Sequence, residues 1–537
     1  MREGERADGV TWWRSGVLYQ IYPRSFADSN GDGNGDLQGV IDHLDHLAWL
    51  GVDGIWLNPI TPSPNADWGY DVADYTSVDP DFGDLHILDR LVAEAGARGI
   101  RVLLDLVPNH TSDQHPWFVE SRASRDSAHR DWYVWADAKA DGSPPNNWLS
   151  VFGGPAWSWD EPTQQFYLHN FLAEQPDLNW WNEEVRQAFD DISRFWFNLG
   201  IAGFRIDVAH ALVKDRDLRD NPAAEESDHP GVRALGQRSV YNMNRPEVHD
   251  VFRRWRKIAD SYDPPAVLLG ETWVLDIESL VSYYGGGSDE LHLALNVPFI
   301  LAELGTEMRT IVEGVEATLP AGAWPAWNGS NHDAGRFPSR WCGDDVRKVR
   351  AALVVLLGLR GTPILYYGDE IGMPQVAVPH ARLRDPVGLR GWPDEPGRDG
   401  ARTPMHWTHA PAGAFTDPGV EPWLPTGDPA SCNVANQRED AGSVLCLCRD
   451  LIALRRARPD LNSGKYATVG SPEGVWAWAR GDRTVVAVNC SERPAEVELG
   501  ADEVLIGTRR ERDGDRVLGP VQLAPWEAIV LSRPVAG

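Results

Sequence analysis

Residues 203–210 read GFRIDVAH, an apolar run broken by one arginine and one aspartate. Alternate side chains of an extended strand share a face, so Arg205 and Asp207 point the same way. A guanidinium beside a carboxylate favours its ionised form and lowers its pKa. That makes Asp207 a nucleophile rather than an acid. Two more apolar runs end in carboxylates, LLGET with Glu271 and NGSNHD with Asp333. Three carboxylates at neighbouring strand ends repel one another, so one of them is expected to hold a proton near neutral pH. DLVPNH adds Asp105 and His110 to this set, and NHD adds His332.

A second group of chemistry-bearing residues stands at 28–36, DSNGDGNGD. Oxygen-bearing side chains spaced by glycines are what a hard cation such as Ca²⁺ takes. The EF-hand pattern fits Asp28, Asn30, Asp32 and Gly33, but its twelfth position, where a bidentate Glu belongs, is Gly39. The preceding VLYQIYPRSF reads as a strand ending in a turn. The expectation is therefore a structural cation site after a strand, not a calcium sensor.

The elements that must position these groups recur in one pattern. Apolar runs ending in polar residues are GVLYQIYP, GVDGIWLNP, GIRVLLDLVPNH, GIAGFRIDVAH, AVLLGET, LHLALNVP, WNGSNHD and TPILYYGDE. Between most of them lie helical patterns such as DLQGVIDHLDHLAWLG, LHILDRLVAEAGARG and NEEVRQAFDDISRFWFNLG, each stopped by a glycine. Eight strand-then-helix units predict an α/β fold, a (β/α)₈ TIM barrel, whose polar strand ends collect at the face where barrel active sites are built. The third and fourth strands are about a hundred residues apart, where one unit takes roughly thirty. A small inserted domain over 111–175, rich in Trp, Pro, Gly and Asn, is expected there, with the barrel taking 1–110 and 176–465. After the amphipathic helix SVLCLCRDLIALRRARPDL the pattern turns to alternation, predicting a C-terminal antiparallel β-sandwich over 466–537.

Composition narrows the function classes. A net charge of −29 argues against a nucleic-acid partner and against an anionic membrane surface. The opening MREGERADGVTWW has no apolar core of a signal peptide, and the chain has no apolar run long enough to span a membrane. Five scattered cysteines read as free thiols of a reducing cytoplasm, with CLC at 446–448 too tight for zinc spacing. Many of the 25 tryptophans fall in polar, Gly/Pro-rich segments, where a flat apolar face beside polar groups suits a sugar ring.

DLVPNH, GFRIDVAH, GET and SNHD, in this order, resemble the ordered motifs of the α-amylase superfamily (glycoside hydrolase family 13). QPDLNW, RTPMHW and YQIYPRSFADSNGDGNGDLQG resemble its α-glucosidase and oligo-1,6-glucosidase branch. The similarity covers nearly the whole chain and thins in the C-terminal domain. It implies Asp207 as nucleophile, Glu271 as general acid/base and Asp333 as the carboxylate that holds a distorted sugar. It implies Asp67, Tyr70, His110, Phe152, Phe171, Arg205, His332 and Arg402 around the sugar at the cleaved end. Asp67 and Arg402 are expected to pair and close the pocket. For the loop it implies one structural divalent cation, Ca²⁺ before Mg²⁺, on Asp28, Asn30, Asp32, the Asn34 carbonyl and Asp36.

The activity implied is that of a retaining exo-α-glucosidase on short α-glucosides, maltose-like or sucrose, through a glucosyl ester on Asp207. Water and sugar or alcohol acceptors compete for that ester, so transglucosylation is a second outcome. Val208 after the nucleophile resembles the α-1,6 enzymes, whereas DVAHALVKD resembles α-glucosidases acting on short α-1,4 substrates, the linkage favoured here. The alternatives are an oligo-1,6-glucosidase, a dedicated glucosyltransferase or isomerising relative, and a non-catalytic transporter subunit. The last is disfavoured because all three acids are kept. A monomer or homodimer is expected.

Overall fold

The computed structural model describes residues 11–534; residues 1–10 and 535–537, the outer ends of the barrel and C-terminal ranges, lie outside the described residues. All eight apolar runs form parallel strands: β1 (Leu18–Ile21), β2 (Gly54–Leu57), β3 (Arg101–Leu106), β4 (Gly203–Ile206), β5 (Val267–Gly270), β6 (Leu293–Ala294), β7 (Ala326–Asn328) and β8 (Thr362–Tyr366). They are ordered β7-β8-β1-β2-β3-β4-β5-β6, which makes a nearly closed barrel. Both faces of each strand are covered, which is why the strands read as continuous apolar runs. Leu18, Trp56, Leu103, Leu269, Leu293 and Ile364 fill the interior together with Trp12 and Trp13, while Val102, Leu104, Phe204 and Ile206 belong to the larger core shared with the helices.

The helices stop where the sequence marks them. Leu44–Leu50 ends at Gly51 (φ 91°), and Leu85–Ala97 and Glu183–Asn198 are followed one residue past their caps by Gly99 (φ 76°) and Gly200 (φ 89°). Left-handed backbone there lets the next N–H groups reach the last carbonyls without a Cβ penalty. Asp84, Asn182 and Ser443 cap helix starts by accepting from Ile87, Glu184 and Cys446 N–H.

Between β3 and the helix Glu183–Asn198, the chain forms a helix (Pro116–Ala123) and a small antiparallel sheet of Trp135–Ala136, Gln165–Leu168 and Trp157–Asp160. Trp148, Trp157, Phe166 and Leu168 give this insert its own apolar cluster. Bridges His110↔Asp177 and Tyr133↔Leu178 tie it to the end of β3.

The C-terminal part is an antiparallel sheet of five strands ordered Tyr466–Val469, Val475–Arg480, Thr484–Asn489, Ala528–Ser532 and Glu503–Gly507. A two-stranded sheet, Ala495–Val497 with Val521–Leu523, accompanies it. Val475, Ala477, Val485, Val497, Val521 and Ile529 pack in one layer, while Trp476, Trp478, Val486 and Val530 join the main core of the barrel.

Candidate active site

The barrel register sets the centre of the site. Arg205 on β4 pairs laterally with Asp105 on β3 and Leu269 on β5. The ladder continues past the strand ends, with Asp207 N–H donating to the Leu106 carbonyl (2.8 Å) and Glu271 N–H to that of Ile206 (2.9 Å). Asp207 and Glu271 therefore stand on adjacent strand ends. One guanidinium joins them: Arg205 Nη1 lies 2.7 Å from Asp105 and 2.8 Å from Asp207, and Nη2 lies 2.7 Å from Glu271 Oε2. Val208 N–H donates to the same Oε2 (2.9 Å).

A relay runs from β1 and β2 to this centre. Gln20 and Asn58 face His332 Nδ1 at 2.9 and 3.2 Å, so that nitrogen accepts and the proton sits on Nε2. Nε2 is 2.6 Å from the Tyr70 hydroxyl and 3.1 Å from Asp333, and Tyr70 donates to Asp105 (2.9 Å). The Tyr70 and His332 rings are stacked, 5.3 Å apart and 4° from parallel. His110 bonds the Tyr70 carbonyl through Nε2 (2.9 Å), and its ring lies 5.2 Å from Phe171, which meets Phe152 edge-on at 6.0 Å. The structure thus brings together Asp67, Tyr70, His110, Phe152, Phe171, Arg205, Asp207, Glu271, His332 and Asp333.

The arginine closing the pocket is a correction. Asp67 pairs with Arg398, not Arg402: Arg398 Nη2 is 2.7 Å from Asp67 and its Nη1 3.0 Å from Asp333. Buried Asp385 fixes the same guanidinium (2.7 Å), and the Phe152 ring lies 5.4 Å from it. Arg402 follows the turn Asp399–Ala401 and points inward, donating to the His332 carbonyl (2.9 Å) and Asp333 (3.1 Å) behind the pocket. Arg398 escaped sequence reading because GRDGARTPMHW holds two arginines four residues apart, and only the turn between them decides which faces Asp67. Gln175, 3.3 Å from Asp67, was visible only as part of QPDLNW.

Burial dominates the electrostatics. It raises Asp207 well above the ordinary carboxylate value, Arg205 opposing while Glu271, Asp105 and Asp333 add to the rise. The lowering expected from Arg205 alone is outweighed by burial, because one cation is shared among three carboxylates. Burial works to raise Asp333 too, but His332 lies 3.1 Å from it and Arg398 and Arg402 face it, holding it well below the ordinary range. Burial and the neighbouring arginines keep His332 neutral, and burial lowers His110 to about 4.

The loop at 28–36 offers only oxygen donors. Asp28 accepts the N–H groups of Asn30, Gly31 and Gly33 and the Thr416 hydroxyl, Asn30 accepts Asp32 N–H, and Asp32 accepts Asn34 N–H. Gly33 is left-handed (φ 91°), and a Cβ there would clash with the Glu421 carbonyl. Asp36 caps the helix Leu37–Asp42 through Gly39 N–H and accepts from Ser29. Carboxylate and amide oxygens in a tight loop fit a hard cation. Among the described residues no three His, Cys, Asp or Glu side chains converge as a metal cage, so amide and carbonyl oxygens would supply part of the shell.

A barrel with three carboxylates at its strand ends, linked through arginines and closed by a salt bridge, defines a glycoside-processing enzyme of the α-amylase type. The chain belongs to that family: residues 20–464 match the alpha-amylase catalytic domain. It is 43% identical over 510 residues to a probable alpha-glucosidase of Rhizobium meliloti, covering 91% of each chain. It is 36% identical to an oligo-1,6-glucosidase of Heyndrickxia coagulans, covering 96% of this chain and 98% of the relative. The solved alpha-glucosyl transfer enzyme XgtA superposes with a TM-score of 0.91 at 40% identity, over 97% of this chain and 99% of that one.

Proposed function

We propose that the protein is a retaining exo-α-glucosidase that releases α-glucose from the non-reducing end of short α-glucosides, with α-1,4 linkages favoured. The observation that carries this is the Arg205 fork spanning Asp207 and Glu271 at 2.8 and 2.7 Å. Two carboxyls held by one guanidinium suit the roughly 5–5.5 Å spacing of retaining chemistry rather than the roughly 6.5–9.5 Å that admits a water for inversion. Asp207 attacks the anomeric carbon while Glu271 protonates the departing oxygen. Glu271 then takes a proton from water or an acceptor hydroxyl, which opens the glucosyl ester. Asp333, ionised, and the neutral His332 N–H face the sugar hydroxyls. The Arg398 bridge between Asp67 and Asp333 supports single-residue release, since a longer chain would have to displace buried ion pairs. Product NMR on 4-nitrophenyl α-glucoside, which releases a single glucose, tests the stereochemistry: α-glucose is expected first, and β-glucose first overturns the mechanism.

Transfer to sugar or alcohol acceptors belongs to the same proposal, supported by the similarity to an α-glucosyl transfer enzyme. So do a structural Ca²⁺ or Mg²⁺ in the loop at 28–36, a cytoplasmic place of action and a monomeric or homodimeric state. The oxygen-only loop supports the cation, and five unpaired thiols support the reducing compartment. Among the described residues no helix is long and apolar enough to cross a membrane.

A further inference from the structure

Val208, directly after Asp207, has φ 35° and ψ 48°. A β-branched residue in left-handed backbone is an outlier that persists only where its surroundings enforce it. Its side chain packs with Ala211, Met243 and Phe171. Successive N–H groups of a straight strand point to opposite neighbours, so after Asp207 bonds to β3 and Val208 faces β5, Ala209 would return to β3. The left-handed turn prevents this. Val208 N–H donates to Glu271 Oε2 and Ala209 N–H to the Glu271 carbonyl, both at 2.9 Å. Arg205 Nη2 reaches the same Oε2 at 2.7 Å, and among the described residues no donor is recorded on Oε1.

We propose that Val208 is a positioning residue for Glu271: its strained backbone holds an N–H on Oε2 and so confines the transferable proton to Oε1. This deepens the proposed function and rests on Glu271 being the acid/base. In the first step the Oε1 proton passes to the glycosidic oxygen as the C1–O bond breaks and the C1–Asp207 oxygen bond forms. The carboxylate left on Glu271 keeps the Val208 N–H and the Arg205 charge on Oε2, which stabilises the charge it has just gained. In the second step Oε1 takes a proton from water or an acceptor.

The test replaces residue 208 by the α-hydroxy acid analogue of valine, which keeps the side chain and removes the N–H, with valine reinstalled by the same method as control. On maltose, whose leaving group needs the proton, kcat/KM should fall about tenfold or more. On 2,4-dinitrophenyl α-glucoside, whose leaving group does not, the fall should be several times smaller. The basic limb of the pH profile on maltose should move upward, because the charged form of Glu271 has lost a donor. Val208→Gly, which keeps the N–H and enters left-handed backbone without a Cβ penalty, should show no such substrate bias, and a maltose-selective loss in it overturns the proposal. Equal losses on both substrates in the α-hydroxy acid variant, or an unmoved pH profile, overturn the proposal. Glu271→Gln separates this from failure of the underlying reading: if it too falls equally on both substrates, Glu271 is not the acid.

Discussion

Arg398 lies 2.7 Å from Asp67 and bridges it to Asp333, 3.0 Å away, so one guanidinium ties two carboxylates together. Asp385 sets its orientation from behind (2.7 Å). Planar, bidentate contacts of this kind need an arginine.

Arg398→Ala should therefore cost about a hundredfold in kcat/KM on maltose, since it leaves Asp67 and Asp385 buried without their cation, a loss of about 3–5 kcal/mol shared between stability and binding. Arg398→Lys should recover little, because a point charge cannot span both partners. Steady-state kinetics with a melting curve check this. A lysine variant close to wild type would mean that charge alone, not the bridge, closes the pocket.

Asp207→Asn, Glu271→Gln and Asp333→Asn should each lower maltose turnover by at least about a thousandfold. In the proposed mechanism each of these carboxyls acts on the sugar directly, whereas its neighbours remain to hold the fold. Circular dichroism should stay native. Any one variant retaining a tenth of wild-type activity would remove that residue from its assigned role.

His292 gives a stability prediction away from the site. It packs edge-on to Trp13, its Nδ1 accepts Leu268 N–H (3.1 Å), and burial lowers its pKa from 6.5 to about 4. Between those values the unfolded chain binds a proton that the folded one refuses, so its contribution is whole above pH 6.5 and is lost as pH falls towards 4. A fall from 6.5 to about 4 corresponds to about 3 kcal/mol. Denaturant titrations of wild type and His292→Gln should converge by about that amount as pH falls across this window. Parallel curves would show that His292 does not titrate on unfolding.

Chelation should lower Tm by several degrees and leave the turnover of folded enzyme nearly unchanged, because a ligand of the native state alone stabilises by mass action. The loop at 28–36 meets Thr416 and the Phe415 carbonyl rather than the catalytic carboxylates, with Asp28 N–H donating to that carbonyl at 2.8 Å. Adding back Ca²⁺ or Mg²⁺ shows which ion restores Tm. Immediate loss of turnover well below the melting range would place the ion in the chemistry instead.

The sequence by itself determined the barrel and its chemical inventory. Eight apolar runs, each closed by polar residues, leave few other ways to cover both faces of every strand, and alternation fixed the shared face of Arg205 and Asp207. The tertiary structure decided what depends on neighbours distant in the chain. Arg398 and Arg402 look alike in sequence, and the turn at Asp399–Ala401 sends one to Asp67 and the other behind His332. Asp207 reads as a carboxylate eased by its arginine, yet burial among Asp105, Glu271 and Asp333 raises it, because desolvation is set by everything packed around a group. Val208 reads as an ordinary strand residue. Its left-handed backbone exists only because packing against Ala211, Met243 and Phe171, and two hydrogen bonds to Glu271, hold a conformation its own side chain disfavours.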